Sequence, residues 1–342
     1  METLDWANGT SAREEWVIVI QTTVLTITTL LVIVGNILCF MVLLKSNDTG
    51  EVTRLCMLFL TATDTGVGFL ICIPVTGATA VDRWPYGDAF CLALAGSTIL
   101  LSMDSIFVVL VNVERFVAIV WPLRSVTYVT IPRVRVALVG VWALGASFAG
   151  VYCFIPGRSA VYHPHFHTCF MDPDDPDQSD SVGIMAAWIF GILPFVITLL
   201  LYGRLYQIAR RHARQISVME GPQNHHVIKR SDLKTATTFF IMTAVLAVSW
   251  LPFAVVICYE GVTRRTAHPA AIFISEILLL SNSYWNIVIY YIRNEKFRRA
   301  GRRFVRDCLC KGRDNRLRNE IEPSRIIESP SLKSNAVLTH HL

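Results

Sequence analysis

Seven long apolar runs separated by short polar segments dominate the pattern of the chain. The runs fall at about 17–44, 55–78, 92–120, 136–156, 183–203, 236–259 and 269–292. Each approaches or exceeds the roughly 20 residues that cross a hydrocarbon core. Because lipid offers no partner for backbone amides, each run predicts a transmembrane α-helix, and the alternating ten-residue segments of a β-barrel do not occur. The pattern predicts an all-α membrane protein, a seven-transmembrane helix bundle.

Composition and charge agree with this prediction and add an orientation. Hydrophobic residues make up 53% of the chain and charged residues 17%, whereas a soluble domain has less of the first and more of the second. Of the 31 Lys and Arg residues, 26 lie on one side of the predicted membrane. Basic loops stay in the cytoplasm, so we expect the N-terminus outside the cell. The net charge of +5 therefore reflects membrane topology, and no nucleic-acid partner is expected.

The runs divide the chain into four predicted regions. They are an extracellular N-terminus (1–16), a transmembrane domain (17–292), an amphipathic and palmitoylation segment (293–310) and a disordered cytoplasmic tail (311–342). The first residues lack the apolar stretch of a cleaved signal peptide, so the first span is expected to act as a plasma-membrane anchor. Residues 294–307 alternate apolar with basic positions, which predicts a short eighth helix on the cytoplasmic membrane surface.

Three covalent modifications are predicted from compartment. Asn8 opens an Asn-Gly-Thr glycosylation sequon on the outer side. Cys91 and Cys169 lie on the oxidising side, where a disulfide can persist and would pin the loop before span five. Cys308 and Cys310 follow the amphipathic segment, which favours palmitoylation over a pair of free thiols.

Several short motifs, taken in order and spacing, resemble those of the rhodopsin-like (class A) G-protein-coupled receptors over roughly residues 17–308. They are Gly35-Asn36, Leu60 with Asp64, Trp84-Pro85-Tyr86-Gly87, Glu114-Arg115-Phe116 with Pro122-Leu123, Trp142, Pro194 with Tyr202, Ser249-Trp250-Leu251-Pro252, and Asn286-Ile287-Val288-Ile289-Tyr290. Three features depart from the family pattern. Ile287 replaces a proline, Leu246 replaces a phenylalanine, and the interval from Cys91 to Arg115 is one residue short.

The resemblance implies a receptor that binds an extracellular ligand and activates heterotrimeric G proteins by outward movement of the sixth helix. The residues implied in activation are Glu114, Arg115, Phe116, Tyr202, Asp232, Trp250, Pro252 and Tyr290. Arg115 and Asp232 either lock spans three and six together on the cytoplasmic side, or Asp232 only caps its helix. Tail serines suit arrestin recruitment, and the basic cytoplasmic segments suit contact with membrane lipid.

Two other functional classes stay open on the sequence alone. A receptor-like scaffold that binds ligand without signalling is one, because Ile287 and Leu246 depart from the family pattern. A seven-span transporter or channel is the other, although no inverted repeat is evident. An enzyme is not expected, since no nucleophile–base set or phosphate loop occurs.

Apart from Glu114 at the inner edge of span three, the acids within the predicted spans are Asp64, Asp104 and Glu276. Charge there is costly and usually functional. Asp64, Asp104 and Asn282 fall at similar depths when residues are counted at 1.5 Å each. The resemblance places Asp64, Asn282 and Asn286 around the family's sodium pocket, and Asp104 where the family usually has a serine. Two neighbouring carboxylates cannot both ionise cheaply. We therefore expect a tightly held allosteric Na⁺ or a shared proton, unless Asp104 is neutral and locally bonded. No other cofactor is expected.

Candidate ligand-binding residues lie nearer the outer side. Glu276, about 10 Å into span seven, either pairs with a cationic ligand or has a local polar partner. Ser97 and Thr98 stand where an aminergic receptor would carry an acid, which disfavours an amine ligand. Trp250 either lines the pocket or packs in the core. Span seven lacks the lysine that retinal requires.

The loop before span five carries an unusual run of charge. Five aspartates follow Cys169 and would attract a cationic ligand such as a basic peptide. Before Cys169, every second residue over a short stretch is a histidine, namely His163, His165 and His167. An extended segment would place these three side chains on one side, which makes them a weak metal or pH-sensing candidate. A merely solvated charged loop is the alternative.

Overall fold

The computed structural model describes residues 14–45, 50–175, 189, 192–218, 230–263 and 265–307. Within these ranges, the side chains of 115, 119, 122, 123, 126, 205, 206, 209–218, 230–236, 238 and 239 are not described. The predictions for Asn8, Cys308, Cys310 and the tail therefore lie outside the described residues. The side chains of Arg115 and Asp232 lie outside them as well.

Helices form almost all of the described chain. The first three spans are α1 (Glu15–Lys45), then α2 (Glu51–Val67) with a π-helical segment (Gly68–Cys72) and α3 (Ile73–Val81), then α4 (Asp88–Ser97) with α5 (Ile99–Val120). After them come α6 (Pro122–Tyr128), α7 (Ile131–Cys153), β1 (Arg158–His163), β2 (Thr168–Pro173), α8 (Leu193–Val218), α9 (Arg230–Thr263), α10 (Pro269–Arg293) and α11 (295–307). We name the two ends of the bundle the hairpin end, with β1 and β2, and the α11 end.

Six of the seven predicted runs coincide with helices long and apolar enough to cross a membrane. The fifth run, predicted at 183–203, is described only in part, and its apolar helical portion is Leu193–Arg204. The polar segment between the fifth and sixth predicted runs is helical at both ends, since α8 continues to Val218 and α9 begins at Arg230. Hydropathy marks the thickness of the membrane, whereas the polar continuation of α8 is rich in residues that favour helix, such as Ala, Arg and Gln.

The π-helical segment of the second span has a local cause. Pro74 lacks a backbone N–H, so the carbonyl one turn earlier loses its usual partner and the helix register changes just before it. The carbonyl of Cys72 accepts hydrogen bonds from the Thr76 hydroxyl at 2.7 Å and the Thr29 hydroxyl at 3.5 Å. The segment thereby joins the second span to the first.

Close helix approach in the bundle depends on small residues. A Cβ atom on Gly145 of α7 would lie 2.5 Å from the Met103 sulfur of α5. Glycine therefore lets α7 press against α5 beside Asp104. Apolar clusters fill both ends of the bundle, one around Phe107 and Met242 toward the α11 end and one around Leu94 and Cys169 at the hairpin end.

The antiparallel hairpin of β1 and β2 is attached to the bundle by a covalent bond and by aromatic packing. Cys91 of α4 forms the predicted disulfide with Cys169 of β2, which confirms that prediction. The Trp84 indole donates to the Gly87 carbonyl at 2.9 Å, and its ring lies 5.7 Å from Tyr162 of β1. The Trp84-Pro85-Tyr86-Gly87 motif thus forms a platform for the hairpin.

Removing the disulfide should loosen this end of the molecule. We expect the double variant Cys91→Ala/Cys169→Ala to melt about 5 °C lower in detergent, since a disulfide typically contributes a few kcal/mol. The control is Cys258→Ala, which removes an exposed thiol. Equal melting temperatures for the two proteins would show that the aromatic platform holds the hairpin without the disulfide.

Candidate functional site

Two fully buried aspartates face each other at the centre of the bundle. Asp64 of α2 and Asp104 of α5 both have 0% exposure, and their side chains interact directly. Ser283 and Asn286 of α10 also face the Asp64 carboxyl group. The similar depths predicted for Asp64 and Asp104 agree with this contact. Asn286 lies beside them, as the resemblance implied.

Hydrogen bonding within this acid pocket is incomplete. No ordinary hydrogen bond to a described residue is found for either oxygen of Asp64 or Asp104, for the Ser283 hydroxyl, or for the Asn286 amide nitrogen. Buried polar atoms without partners are rare and cost free energy. The two carboxyl groups and the Ser283 hydroxyl also supply oxygen atoms, the ligands that suit a hard cation. The residues therefore fit a bound Na⁺, a shared proton or ordered water.

Of two neighbouring polar residues on α10, Asn282 was predicted as a pocket residue and Ser283 was not. Asn282 is buried as expected, and its side-chain oxygen has no partner among the described residues. Ser283 carries no charge and belongs to no motif, so nothing in the sequence singles it out. Its position three residues before Asn286, on the same helix face, is the one available signal.

Asn36 ties the first span to the seventh beside the pocket. Its amide donates to the Val32 carbonyl at 2.9 Å and to the Ser283 carbonyl at 3.0 Å. Ile287, which replaces the family's proline, packs against Gly35, where a Cβ would lie 3.1 Å from its Cδ1 atom. As expected without that proline, α10 continues as one α-helix through position 287.

Glu276 is a third buried acid, seven residues before Ser283 on α10. It is 5% exposed, and no hydrogen-bond partner is found for its Oε2 atom among the described residues. Cys72, at the end of the π-helical segment, lies within electrostatic range of both Glu276 and Asp64. The hairpin end of the bundle therefore holds a carboxylate aimed inward, with the acid pocket beyond it.

The other predicted ligand-binding residues are less available. The hydroxyls of Ser97 and Thr98 each donate to a carbonyl of their own helix turn at 2.7 Å, so they can only accept from a ligand. Trp250 is partly buried in the apolar cluster at the hairpin end. Trp285 of α10 is 38% exposed on the outside of the bundle.

The three histidines do not form the weakly predicted metal site. Only His163 lies on a strand, and its ring nitrogen pairs with Asp172 at 2.8 Å. Residues 164–167 form a turn, and His167 is buried with a left-handed φ of 50°. Within the described part of the chain, no group of three metal-ligating side chains comes together. Because residues 164–167 form a turn, the three histidines do not lie on one side of an extended strand.

The same turn inserts an aromatic side chain that no sequence signal marked. Phe166 is buried among Val256 of α9, Ile272 of α10 and Ala267 between them. Its ring lies 6.0 Å from that of Phe253, which also packs at the hairpin end. The hairpin therefore contacts the sixth and seventh spans directly.

Activation residues predicted at the α11 end are partly described. Glu114 is buried, and the Phe116 ring meets Trp121 edge-on at 5.9 Å. Tyr290 is buried, with its ring 4.9 Å from Phe297 of α11. The Tyr202 hydroxyl donates to Asn112 at 2.9 Å. Asp232 lies in the first described turn of α9, since that helix begins at Arg230.

Comparison with known proteins identifies relatives of the whole bundle. The family described as "7 transmembrane receptor (rhodopsin family)" matches residues 35–290. The dog (Canis lupus familiaris) histamine H2 receptor is 26% identical over 289 residues, covering 83% of this chain and 78% of that protein. The rat (Rattus norvegicus) somatostatin receptor type 4 is 26% identical over 292 residues, covering 81% and 71%. The zebrafish (Danio rerio) galanin receptor 2b is 28% identical over 291 residues, covering 82% and 74%.

The fold has a close counterpart among solved structures. The crystal structure of squid rhodopsin superposes with a TM-score of 0.73, at 17% sequence identity, and covers 84% of this chain and 85% of that one. The predicted seven-transmembrane bundle is thereby confirmed, and the protein spans the plasma membrane several times. Its relatives are receptors and not enzymes. The chain belongs to the rhodopsin family of seven-transmembrane, G-protein-coupled receptors.

Proposed function

We propose that this receptor, with its N-terminus outside the cell, binds an extracellular ligand and promotes nucleotide exchange on a heterotrimeric G protein. One observation carries the proposal, namely a column of buried polar side chains along α10. Glu276, Ser283, Asn286 and Tyr290 are spaced by seven, three and four residues, so they lie on one face of that helix. The column joins the hairpin end to the α11 end through the acid pocket.

A ligand at the hairpin end would act by shifting a population between two arrangements of the helices. Polar atoms that lack partners in one arrangement make a second arrangement with different partners accessible at low cost. Pro252 removes one backbone hydrogen bond from α9, which supplies a point where that helix can bend. Outward movement of the inner half of α9 would open the cytoplasmic surface beside Arg115.

The ligand class proposed is a cationic peptide or small cation. Glu276 provides a buried carboxylate whose Oε2 atom has no hydrogen-bond partner among the described residues. Asp174 and Asp175 follow the disulfide-bound strand, and an acidic rim raises the local concentration of cations. The names of the relatives include an amine, histamine, and peptides, somatostatin and galanin. The absence of an acid at Ser97 and Thr98 favours Glu276 as the anchor.

The acid pocket is proposed as a regulatory site for Na⁺ or for one shared proton. Asp64 and Asp104 would hold the cation, with the Ser283 hydroxyl as a neutral oxygen ligand and the Asn286 amide nitrogen donating to the Asp64 carboxyl group. A bound cation would neutralise the charge of the acid pair and so stabilise the arrangement in which α2, α5 and α10 converge. A shared proton would do the same by letting one acid donate to the other.

The α11 end is proposed as the membrane-surface and partner-binding side. Phe297 is buried against the bundle, and the Lys45 ammonium lies 4.6 Å from the centre of the Phe304 ring. Arg298, Arg302 and Arg306 line the same helix and suit anionic lipid. Palmitoylation of Cys308 and Cys310, glycosylation of Asn8 and arrestin binding to the tail remain part of this proposal.

Nucleotide exchange tests the proposed activity directly. Membranes with the full-length chain should accelerate GTPγS binding by at least one of a panel of G proteins. Arg115→Ala should reduce that rate roughly tenfold, as expected for the loss of one charge-assisted contact. Arg124→Ala, an exposed arginine in α6, is the matched control. Ligand binding without exchange by any G protein would favour the non-signalling scaffold.

Cation dependence tests the acid pocket. We expect exchange to fall when sodium replaces a large organic cation at constant ionic strength, and Asp64→Asn to abolish that fall. Ser283→Ala should weaken it, because a ligand oxygen is lost. Ser281→Ala is the control, since that buried hydroxyl donates to the Leu278 carbonyl of its own helix at 2.7 Å. A pH effect without a sodium effect would indicate the shared proton. The absence of both effects would contradict the regulatory site.

Charge removal at Glu276 tests the ligand class. In a screen of basic peptides and alkylamines, any probe that stimulates exchange should lose potency at least about tenfold with Glu276→Gln, because a buried ion pair is broken. Glu260→Gln is the control, since its carboxyl oxygen accepts from the Ala267 amide at 2.9 Å and glutamine keeps that acceptor. Equal potency at both variants would place the cation elsewhere.

A further inference from the structure

A hydrogen-bonded triad joins the third, fifth and sixth spans near the α11 end. The Tyr202 hydroxyl of α8 donates to the side-chain oxygen of Asn112 on α5, at 2.9 Å. The amide nitrogen of Asn112 donates to the Thr243 hydroxyl of α9, at 3.1 Å. The Asn112 amide therefore connects three helices, because both its oxygen and its nitrogen form hydrogen bonds.

The triad lies in an apolar layer. Asn112 is 3% exposed and Thr243 is 4% exposed. Val111 and Met242, their chain neighbours, belong to the buried apolar cluster of this end, and Tyr202 packs against that cluster. Water is not available to replace a broken bond at such a site, so separating the helices leaves a buried polar group without a partner.

Tyr202 has a second contact with the sixth span. Its ring meets that of Phe240 edge-on, with centroids 4.9 Å apart. Phe240 and Thr243 are three residues apart on α9, so both contacts lie on adjacent positions of one helix surface. Any movement of this part of α9 away from α5 changes both.

We propose that Asn112 is a positioning residue that holds the resting arrangement of the receptor by fastening Tyr202 and α9 to α5. The proposal rests on the function proposed above, in which the inner half of α9 moves outward. Thr243 precedes Pro252 by nine residues and so lies on the half that moves. Outward movement breaks the bond between Asn112 and Thr243 and separates Phe240 from the Tyr202 ring.

Position on the helix strengthens this assignment. Asn112 lies three residues before Arg115, and residues at that spacing share a helix face. The triad is therefore one turn from the arginine proposed to contact the G protein. A change in the triad acts on the cytoplasmic opening without any change at the ligand site or the acid pocket.

Substitutions that remove one or both bonds test the proposal through ligand-free exchange. Thr243→Val keeps the shape of the side chain and removes its bond to Asn112. We expect it to raise basal GTPγS exchange about threefold, the usual weight of one hydrogen bond between membrane helices. Asn112→Leu removes both bonds and should raise exchange further. Combining the two substitutions should add little to Asn112→Leu alone.

The matched control is Thr79→Val. Thr79 is also fully buried, but its hydroxyl donates to the Val75 carbonyl of its own helix at 2.8 Å. The variant therefore removes a buried hydroxyl without removing a hydrogen bond between helices. Basal exchange equal to wild type in Thr243→Val and Asn112→Leu, or reduced below it, would overturn the proposal and assign the triad a structural role.

A distance measurement separates failure of this proposal from failure of the proposed function. Nitroxide labels at Tyr128→Cys and Thr237→Cys, with Cys258, Cys308 and Cys310 replaced by serine, report the separation of α6 from α9. Thr243→Val and Asn112→Leu should increase the population at longer distance, and Thr79→Val should not. Longer distances in these variants without any GTPγS exchange would support the role of Asn112 and contradict G-protein activation. Unchanged distances, together with GTPγS exchange by the wild type, would contradict only the role of Asn112.

Discussion

The requirement that polar groups find partners inside the bundle governs the rest of this structure, because lipid supplies none. The acids Asp64, Asp104 and Glu276 are all buried, and no Lys or Arg side chain is buried among the described residues. In the part of the chain that the structure describes, no Lys or Arg therefore supplies these acids with a buried counter-charge. The arrangement of α2, α5 and α10 around them therefore depends on what neutralises these acids.

Helix packing around the acids follows from small and polar residues at particular positions. Gly145 lets α7 approach Met103 next to Asp104, and Asn36 bonds to the Ser283 carbonyl next to Asp64. Each contact orders the backbone on one side of the acid pocket. The helices around the pocket are thus held in place, so a change of the cation or proton inside it acts on all of them.

Sequence patterns predicted the features that membrane thickness, the cost of buried charge and redox compartment determine. They missed features that depend on the partners of single side chains or on one turn. Membrane thickness and charge cost identified the spans and the facing pair Asp64 and Asp104, and redox compartment identified the disulfide. Asn112 and Phe166 carry no charge and match no motif, so only their partners across the bundle reveal them. The weak metal or pH-sensing candidate at the three histidines depended on an extended backbone, and a turn replaces that backbone at 164–167. The ends of α8 and α9 extend past their apolar runs because helix formation continues in water where the residues favour it.

Charge also couples the two ends of the proposed mechanism. Glu276 and Ser283 are seven residues apart on α10, which places a ligand cation roughly 10 Å from a cation in the acid pocket. At that distance, in a water-poor core, two positive charges repel appreciably. In the proposed mechanism each cation would therefore weaken the binding of the other, and linkage would make the effect reciprocal. A ligand cation at Glu276 would thus favour release of the pocket cation that holds α2, α5 and α10 together, leaving the Asn112 triad as the remaining restraint on α9.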